Sequence, residues 1–277
     1  MARTRGSADS HYKSLDGKKV LITGGSAGIG KAAAIAFSNN GAIVTITGRR
    51  QERLDAVVSQ LKQGHSVVAD LLKVSDCART IEEAVAKMGG LDILVNSGGV
   101  WTDAMLSEPL GEKAFLDGLT MHVITVARLI EEAIPHLSKN KNGAVVNLSS
   151  LSAIQVNPDS AAYNVSKAAQ DHLTKTLARK YTRLGVRINS VNPGFVDTEV
   201  FDVLVEATGR TKAELHDWAK SENELHEICT AEEIAGPILF LASDAASFIS
   251  GVHIPIAGAA QVQLEIEDPS IYFADKK

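Results

Sequence analysis

Two residues stand out for the proton chemistry their types and spacing allow. In Tyr163-Asn164-Val165-Ser166-Lys167 a phenol and an amine lie four positions apart, within a stretch of helical character over 160–184. On a helix that spacing brings both side chains to one face. A free tyrosine has a pKa of about 10 and is mostly protonated at neutral pH. An adjacent ammonium favours the phenolate, so Tyr163 is a candidate proton donor and acceptor. Taken alone, Y-x-x-x-K is also a common surface pattern.

A second candidate lies near the start of the chain. The apolar run 20–23 is followed by Thr23-Gly24-Gly25-Ser26-Ala27-Gly28-Ile29-Gly30, and a helical pattern begins near Lys31. Glycines at a strand-to-helix turn allow close backbone approach. The helix N-terminus then offers open N–H groups and a positive dipole end to a pyrophosphate. The candidate contacts are Gly24, Ser26, Gly28, Ile29 and Gly30. A tight turn that binds nothing is the bland alternative. The position favours a dinucleotide, because the cluster follows the first strand and opens the first helix.

Both sites need a scaffold, and the rest of the chain supplies its pattern. Apolar runs at 20–23, 43–47, 66–69, 93–96, 144–148, 186–191 and 251–256 alternate with helical stretches such as 31–39 and 81–88. Several runs lack polar alternation, as expected of parallel strands buried on both faces. The expected fold is α/β, a doubly wound parallel sheet of about seven strands in a single Rossmann-type domain over 16–262. Residues 1–15 read as an N-terminal extension and 263–277 as a C-terminal tail. The charged, helix-prone segment 197–230 contains Trp218 and interrupts the alternation. It follows the sixth strand, on the rim where such sheets bind ligands, and reads as a substrate lid or as ordinary surface helices.

The chain has 277 residues, 45% of them hydrophobic and 22% charged, with a formal net charge of -5. That balance gives no electrostatic reason to expect nucleic acid or an anionic membrane as a partner. No apolar run reaches the roughly 20 residues of a membrane span. The two cysteines, Cys77 and Cys229, have no metal-ligand spacing. Neither they nor the histidines suggest a metal site, and the expected state is reduced. The first sixteen residues mix Arg3 and Arg5 with Asp9 and Asp16 and hold no apolar segment, so no secretory signal is expected. The expected compartment is intracellular, the cytoplasm.

The end of the second strand bears on cofactor choice. It reads Ile46-Thr47-Gly48-Arg49-Arg50, with no carboxylate to take a ribose 2′-hydroxyl. Arginines suit a 2′-phosphate, which favours NADP(H) over NAD(H). Glu52 and Asp55 are close enough to pair with Arg49 and Arg50 instead, as a solvated helix start would.

The order T-G-x-x-x-G-x-G and then Y-x-x-x-K resembles the short-chain dehydrogenase/reductase family, over about residues 16–262. Further segments strengthen the resemblance. Asp70 and Leu71 follow the third strand, where the family contacts adenine. Asn96-Ser97-Gly98-Gly99 is similar to the family's Asn-Asn-Ala-Gly segment, which puts Asn96 and Gly98 among the cofactor contacts. Asn192-Pro193-Gly194, with Val196 and Thr198 after it, is similar to the Pro-Gly turn near the nicotinamide.

The resemblance implies hydride transfer between a nicotinamide cofactor and a carbonyl or alcohol. It implies that Ser150, thirteen residues before Tyr163, polarises the carbonyl. It also implies that Lys167 lowers the pKa of Tyr163 and holds the nicotinamide ribose.

Two departures are visible. His122 stands where the family has a relay asparagine, and serves either as part of a proton relay or as a buried structural histidine. Ile256-Ala257-Gly258-Ala259 replaces the usual Val-Asp-Gly-Gly. Substrate selection is expected from residues around 152–157, 194–200, Trp101 and Trp218, which favour a neutral carbonyl or alcohol. Glu222, Glu224, Glu227, Glu232 and Glu233 read as a solvated face. The family pairs its long helices across subunits, so a homotetramer or homodimer is expected, with Ala127, Leu129, Ile130, Ala133 and Leu137 as the candidate face. The rival reading is a dinucleotide-binding sensor or scaffold with little turnover, prompted by His122. An epimerase or dehydratase is a third, disfavoured because no larger substrate domain follows.

Overall fold

In Val20-Leu21-Ile22, consecutive apolar side chains leave a strand on opposite faces, and each must be covered. The computed structural model, which describes residues 12–99, 111–139, 142–156 and 160–262, shows how. In chain order the elements are β1 (Lys19–Thr23), α1 (Gly28–Asn39), β2 (Ile43–Gly48), α2 (Gln51–Val58), β3 (Gly64–Val68), α3 (Asp76–Met88), β4 (Ile93–Asn96) and α4 (Glu112–Leu119). Then come α5 (Thr125–Leu137), β5 (Gly143–Leu148), α6 (Ala161–Tyr181), β6 (Val186–Pro193), α7 (Val200–Thr208), α8 (Lys212–Ser221), α9 (Ala231–Ala242) and β7 (His253–Ile256). The strands form one seven-stranded sheet in the order β3-β2-β1-β4-β5-β6-β7. Every pairing is parallel.

Val20, Ile22, Ile93, Val95 and Val146 join a core with Phe37 of α1, Leu54 of α2 and Ile238 of α9. Leu21, Leu94 and Val145 point the other way, to Ile81 of α3, Leu129 of α5 and Leu177 of α6. Helices therefore cover both faces, the architecture that unalternated strands demand. Leu129, Ile130, Ala133 and Leu137 belong to this second core, not to an exposed face open to another copy. Burial against the sheet uses the stripe that the sequence offered equally to a subunit contact. No helix among the described residues is long and apolar enough to cross a membrane.

Two departures from regular elements bear on the site. Between α4 and α5 the chain does not break but widens into a π-turn, Thr120–Ile124, with the Thr125 N–H donating to the Thr120 carbonyl. Such turns hold one extra residue and recur at functional sites. After β6, helices α7 and α8 fill segment 197–230 and bury their own small core of Phe201, Leu204, Leu215, Ala219 and Ile228. A capping box between Thr211 and Glu214 starts α8, and Gly209 in the left-handed region ends α7. The segment is pinned at its base, where the Asp197 N–H donates to the Cys229 carbonyl at 2.9 Å.

On β6, Arg187 secures the C-terminus of α9. Its guanidinium is buried and donates to the carbonyls of Leu241 (2.6 Å), Ala246 (2.9 Å), Ser243 (3.1 Å) and Ala242 (3.3 Å). The Leu241 and Ala242 carbonyls are acceptors that a helix end leaves open, while Ser243 and Ala246 also accept from the N–H groups of Ala246 and Ile249. Arg187→Met strands the Leu241 and Ala242 carbonyls away from solvent. We expect a loss of about 2–4 kcal/mol in urea unfolding, with the cofactor-side cleft unchanged.

Candidate active site

The turn after β1 is set by how closely backbones meet. Gly24 has φ +65°, and a Cβ there would lie 2.8 Å from the Gly98 Cα. A Cβ on Gly30 would collide with the Gly24 carbonyl oxygen. Gly98 donates its N–H to Thr23 Oγ1 at 2.9 Å, latching the exit of β4 to the end of β1. Helix α1 then opens at Gly28, and its N-cap residue Ala27 makes no side-chain hydrogen bond. The first turn thus turns uncapped N–H groups toward the cleft, the donor set that a pyrophosphate takes.

Arg49 and Arg50 are exposed just beyond β2. Neither pairs with Glu52 or Asp55; Asp55 accepts instead from Gln51 Nε2 at 2.6 Å. No side chain among the described residues takes either guanidinium, and Ser26 sits over the same strand end, near the Cα of Gly48. Asp70 accepts from the Leu72 N–H (3.3 Å) and gives its own N–H to Asp76 (3.1 Å). That backbone donation is the main reason the Asp76 carboxyl is held below its ordinary pKa. Leu71 is buried, with its carbonyl accepting from Thr125 Oγ1. Asn96 is committed elsewhere: its Nδ2 donates to Asn147 Oδ1 at 2.8 Å, and Asn147 donates to Thr174. The bond to Asn147 ties β4 to β5 beneath the site.

A cleft of about 740 Å3 runs along the carboxyl ends of the strands. It gathers Gly24, Gly28, Ile29, Gly30, His122, Ser150, Tyr163, Lys167, Pro193, Gly194, Val196 and Thr198 into one wall. Arg49, Arg50, Asp70, Leu71, Asn96 and Gly98 are not on that wall. Facing it are Gln155, Val156, Phe195, Leu204 and Trp218, with Phe195 and Trp218 edge to face at 4.6 Å. Glu222 lines the same cleft, so it is not simply part of a solvated face. It stands at the C-cap of α8, one helical turn past Trp218, and is turned inward with it. Trp101 and Asn157 lie outside the described residues.

At the centre, Ser150 follows β5 and caps a short turn, its Oγ accepting from the Ser152 N–H at 3.1 Å. It also hydrogen-bonds the Tyr163 side chain. Burial raises the Tyr163 pKa, and the Ser150 bond opposes that rise. The lowering expected from Lys167 does not appear: burial dominates, and the one opposing influence is the Ser150 hydroxyl. Lys167 is only 3% exposed. Its Nζ lies 5.7 Å from the Tyr163 ring centroid. It donates to the Leu148 carbonyl at 2.8 Å and to Gln170 Oε1 at 3.1 Å. Desolvation pulls the lysine down to about 7, with Asp171 pulling the other way. Gln170 was not among the residues singled out from sequence, although it lies on the same helical face.

His122 sits in the π-turn, fully buried. Its ring meets that of Tyr163 edge-on, with centroids 5.6 Å apart. The Ser166 hydroxyl donates to the Tyr163 carbonyl at 2.8 Å, so at 2.9 Å it accepts from His122 Nδ1. Burial, and then the nearby Lys167, push the imidazole well below its ordinary pKa. The ring is thus neutral and protonated on Nδ1, a fixed support for the tyrosine.

The depressed lysine has a consequence for stability. Lys167 titrates near 10.4 in the unfolded chain but about 7 in the fold. Between those values the unfolded state binds more protons, so native stability rises with pH. Below pH 7 the desolvation cost is present in full. Relative to Lys167→Met, the protein should gain up to about 1.4 kcal/mol per pH unit above pH 7, read by urea unfolding from pH 6 to 9. A flat difference would mean a solvated ammonium.

Comparison with known proteins gives a consistent answer. Residues 24–258 match the family model described as enoyl-(acyl carrier protein) reductase. The 3-oxoacyl-[acyl-carrier-protein] reductase FabG of Thermotoga maritima is 34% identical over 248 residues, 88% of this chain and 98% of that one. Dehydrogenase/reductase SDR family member 4 of Bos taurus is 33% identical over 252 residues, 89% and 88% of the two chains. L-Sorbose reductase from Gluconobacter frateurii, solved with NADPH and L-sorbose, superposes with a TM-score of 0.84 at 26% identity, covering 91% of this chain and 99% of that one. A glycine turn opening α1 and a serine, tyrosine and lysine gathered beyond β5 thus occur in a chain that belongs to the short-chain dehydrogenase/reductase family, and it is an NAD(P)-dependent oxidoreductase.

Proposed function

We propose that the protein is an NADP(H)-dependent reductase of a neutral ketone or aldehyde, working reversibly on the corresponding alcohol. The observation that carries this reading is the hydrogen bond between the Tyr163 and Ser150 side chains, with Lys167 beside them in the cleft. When bound, the cofactor supplies a hydride to the carbonyl carbon. Tyr163 gives its phenolic proton to the carbonyl oxygen, and takes it back in the alcohol direction. Ser150 donates its hydroxyl to the same oxygen as negative charge develops there. Lys167 holds the nicotinamide ribose, and its charge stabilises the phenolate left behind.

The residues present fit a phosphorylated dinucleotide. Uncapped N–H groups at α1 suit the pyrophosphate. Arg49 and Arg50, exposed beyond β2, suit a 2′-phosphate. Gly24, Ser26, Gly28, Ile29 and Gly30 form the phosphate turn, while Asp70, Leu71 and Gly98 border the adenosine end. Pro193, Gly194, Val196 and Thr198 border the nicotinamide end.

Apolar and aromatic groups, Phe195, Leu204 and Trp218, dominate the substrate side, and the Glu222 carboxylate opposes anions. The ketone reductions named for the bacterial relatives support a carbonyl acceptor. One catalytic domain spans 16–262, and α7 and α8 within 197–230 serve as its lid. The assembly is a homotetramer or homodimer, in which another copy covers the exposed Leu116, Ile124 and Val165 of the long helices.

The alternative is a dinucleotide-bound sensor with little turnover. It draws on His122, a neutral imidazole bonded to Ser166 where the family has a relay asparagine.

Steady-state oxidation of NADPH with a panel of neutral carbonyls separates these readings. Tyr163→Phe should lower kcat by about 10²–10⁴-fold while cofactor binding persists. Equal rates for both proteins on every carbonyl would support the sensor. Nicotinamide fluorescence titrations should show tighter binding of NADPH than of NADH. Replacing Arg49 and Arg50 by alanine should weaken NADPH by about 10–100-fold and leave NADH unchanged.

A further inference from the structure

We propose that Gln170 is a positioning residue for Lys167: the oxygen of its amide holds and orients the ammonium and stabilises its charged form. The inference rests on the reading of Lys167 as the charged group of the active site, and it assigns a role that the family motifs do not carry.

Lys167 and Gln170 are three residues apart on α6, which brings them to one face. That face is unusual for a helix lying on a sheet. Ser166, Lys167, Gln170, Asp171 and Thr174 are all buried on it, where apolar groups are the rule. Gln170 is fully buried, and its Oε1 is 3.1 Å from Lys167 Nζ. The Leu148 carbonyl, at 2.8 Å, takes a second donor. Among the described residues Gln170 is the ammonium's one side-chain acceptor. Asp171 is near enough to act on the lysine through space. Its oxygens, however, are held by Asn192 Nδ2 at 2.6 Å and Ser190 Oγ at 3.2 Å.

The amide's other end identifies the purpose. Gln170 Nε2 is buried and has no partner among the described residues. Leaving a donor unmade costs free energy, and an apolar residue would avoid that cost. Rotating the amide would not help, because it would aim an NH2 group at an ammonium. The orientation is therefore fixed by the lysine, and the orphan donor is the consequence. A carbonyl oxygen aimed at a desolvated cation favours its charged form.

The groups facing the ammonium are Tyr163 and Asp171 on α6 and His122 in the π-turn. His253 on β7 stands behind Asp171, with Nδ1 3.5 Å from its carboxylate. None of these changes in the variants that follow, so the shifts report on position 170.

The test is a pH titration of the full-length protein with lysine labelled by 13C at Cε, the Lys167 signal being assigned as the one missing in Lys167→Met. Gln170→Met, which removes the acceptor, should lower the Lys167 midpoint. Gln170→Glu, which charges it, should raise the midpoint by about one pH unit or more. In turnover, the high-pH limb of kcat/KM should move with the midpoint in each variant, down and then up, a pattern that loss of packing would not produce. Midpoints equal to wild type, or moved the same way by both variants, overturn the proposal. Should Gln170→Met not fold, Gln170→Glu decides alone, with an unchanged or lowered midpoint counting against it. Wild-type protein without turnover would sink the reductase reading, while the titration still judges Gln170.

Discussion

Everything at the site hangs on one close contact, the meeting of the Gly24 and Gly98 backbones. β1 and β4 are neighbours at the centre of the sheet, in register from Val20 with Ile93 to Thr23 with Asn96. The chain leaves β1 for a helix on one face, while the chain that follows β4 reaches α5 on the other. The crevice where the two exits diverge is the natural binding place in a doubly wound sheet. Its walls stay close because Gly24 has no side chain to hold the Gly98 backbone away. The Thr23 hydroxyl then locks the approach by taking the Gly98 N–H. With that contact made, α1 can direct its N-terminus along the crevice, and the ends of β5 and β6 complete the far wall.

Across the crevice the organising problem is a buried cation. Lys167 gives up hydration, and the protein answers with a carbonyl from β5, an amide oxygen from α6 and a carboxylate one shell away. The same carboxylate, Asp171, accepts from Asn192, whose amide also donates to the Ser150 carbonyl at 3.0 Å. Serine and lysine are thus tied to one another through β6. A displacement of either is resisted by these hydrogen bonds.

The strands were legible in the sequence because both faces of the sheet are covered, which leaves uninterrupted apolar runs. Residues 93–96 and the start of the 186–191 run agree with β4 and β6. The edge strand β3 was the poorest match, read as 66–69 against Gly64–Val68. Its Gly-His-Ser opening is only half-buried and carries no apolar signal. Helix α1 was read from Lys31 because Gly28 and Gly30 are poor helix formers, yet they form its first turn. That the glycines after β1 and the Tyr163–Lys167 pair meet in one cleft was legible from spacing. Spacing does not reveal that the Asn96 amide donates to Asn147 of the neighbouring strand. Glu222 was read with its acidic neighbours, although its place after Trp218 turns it inward. Gln170 carried a signal that went unused: polar residues at 163, 167, 170, 171 and 174 repeat with helical period, so a buried polar stripe was visible.

The π-turn has a further consequence, for length and not for composition. It holds its extra residue between α4, which lies against α6, and α5, which lies in the core. A π-turn absorbs one residue beyond the α-helical count, bulging it outward while the helices on either side keep their faces. Deleting one position in Thr120–Ile124 would therefore close the turn and still let α4 meet α6 and α5 meet the core. What it would lose is the widened backbone on which the His122 ring stands beside Tyr163. The distance in residues from Glu112 to Leu137 is therefore itself part of the active site's specification.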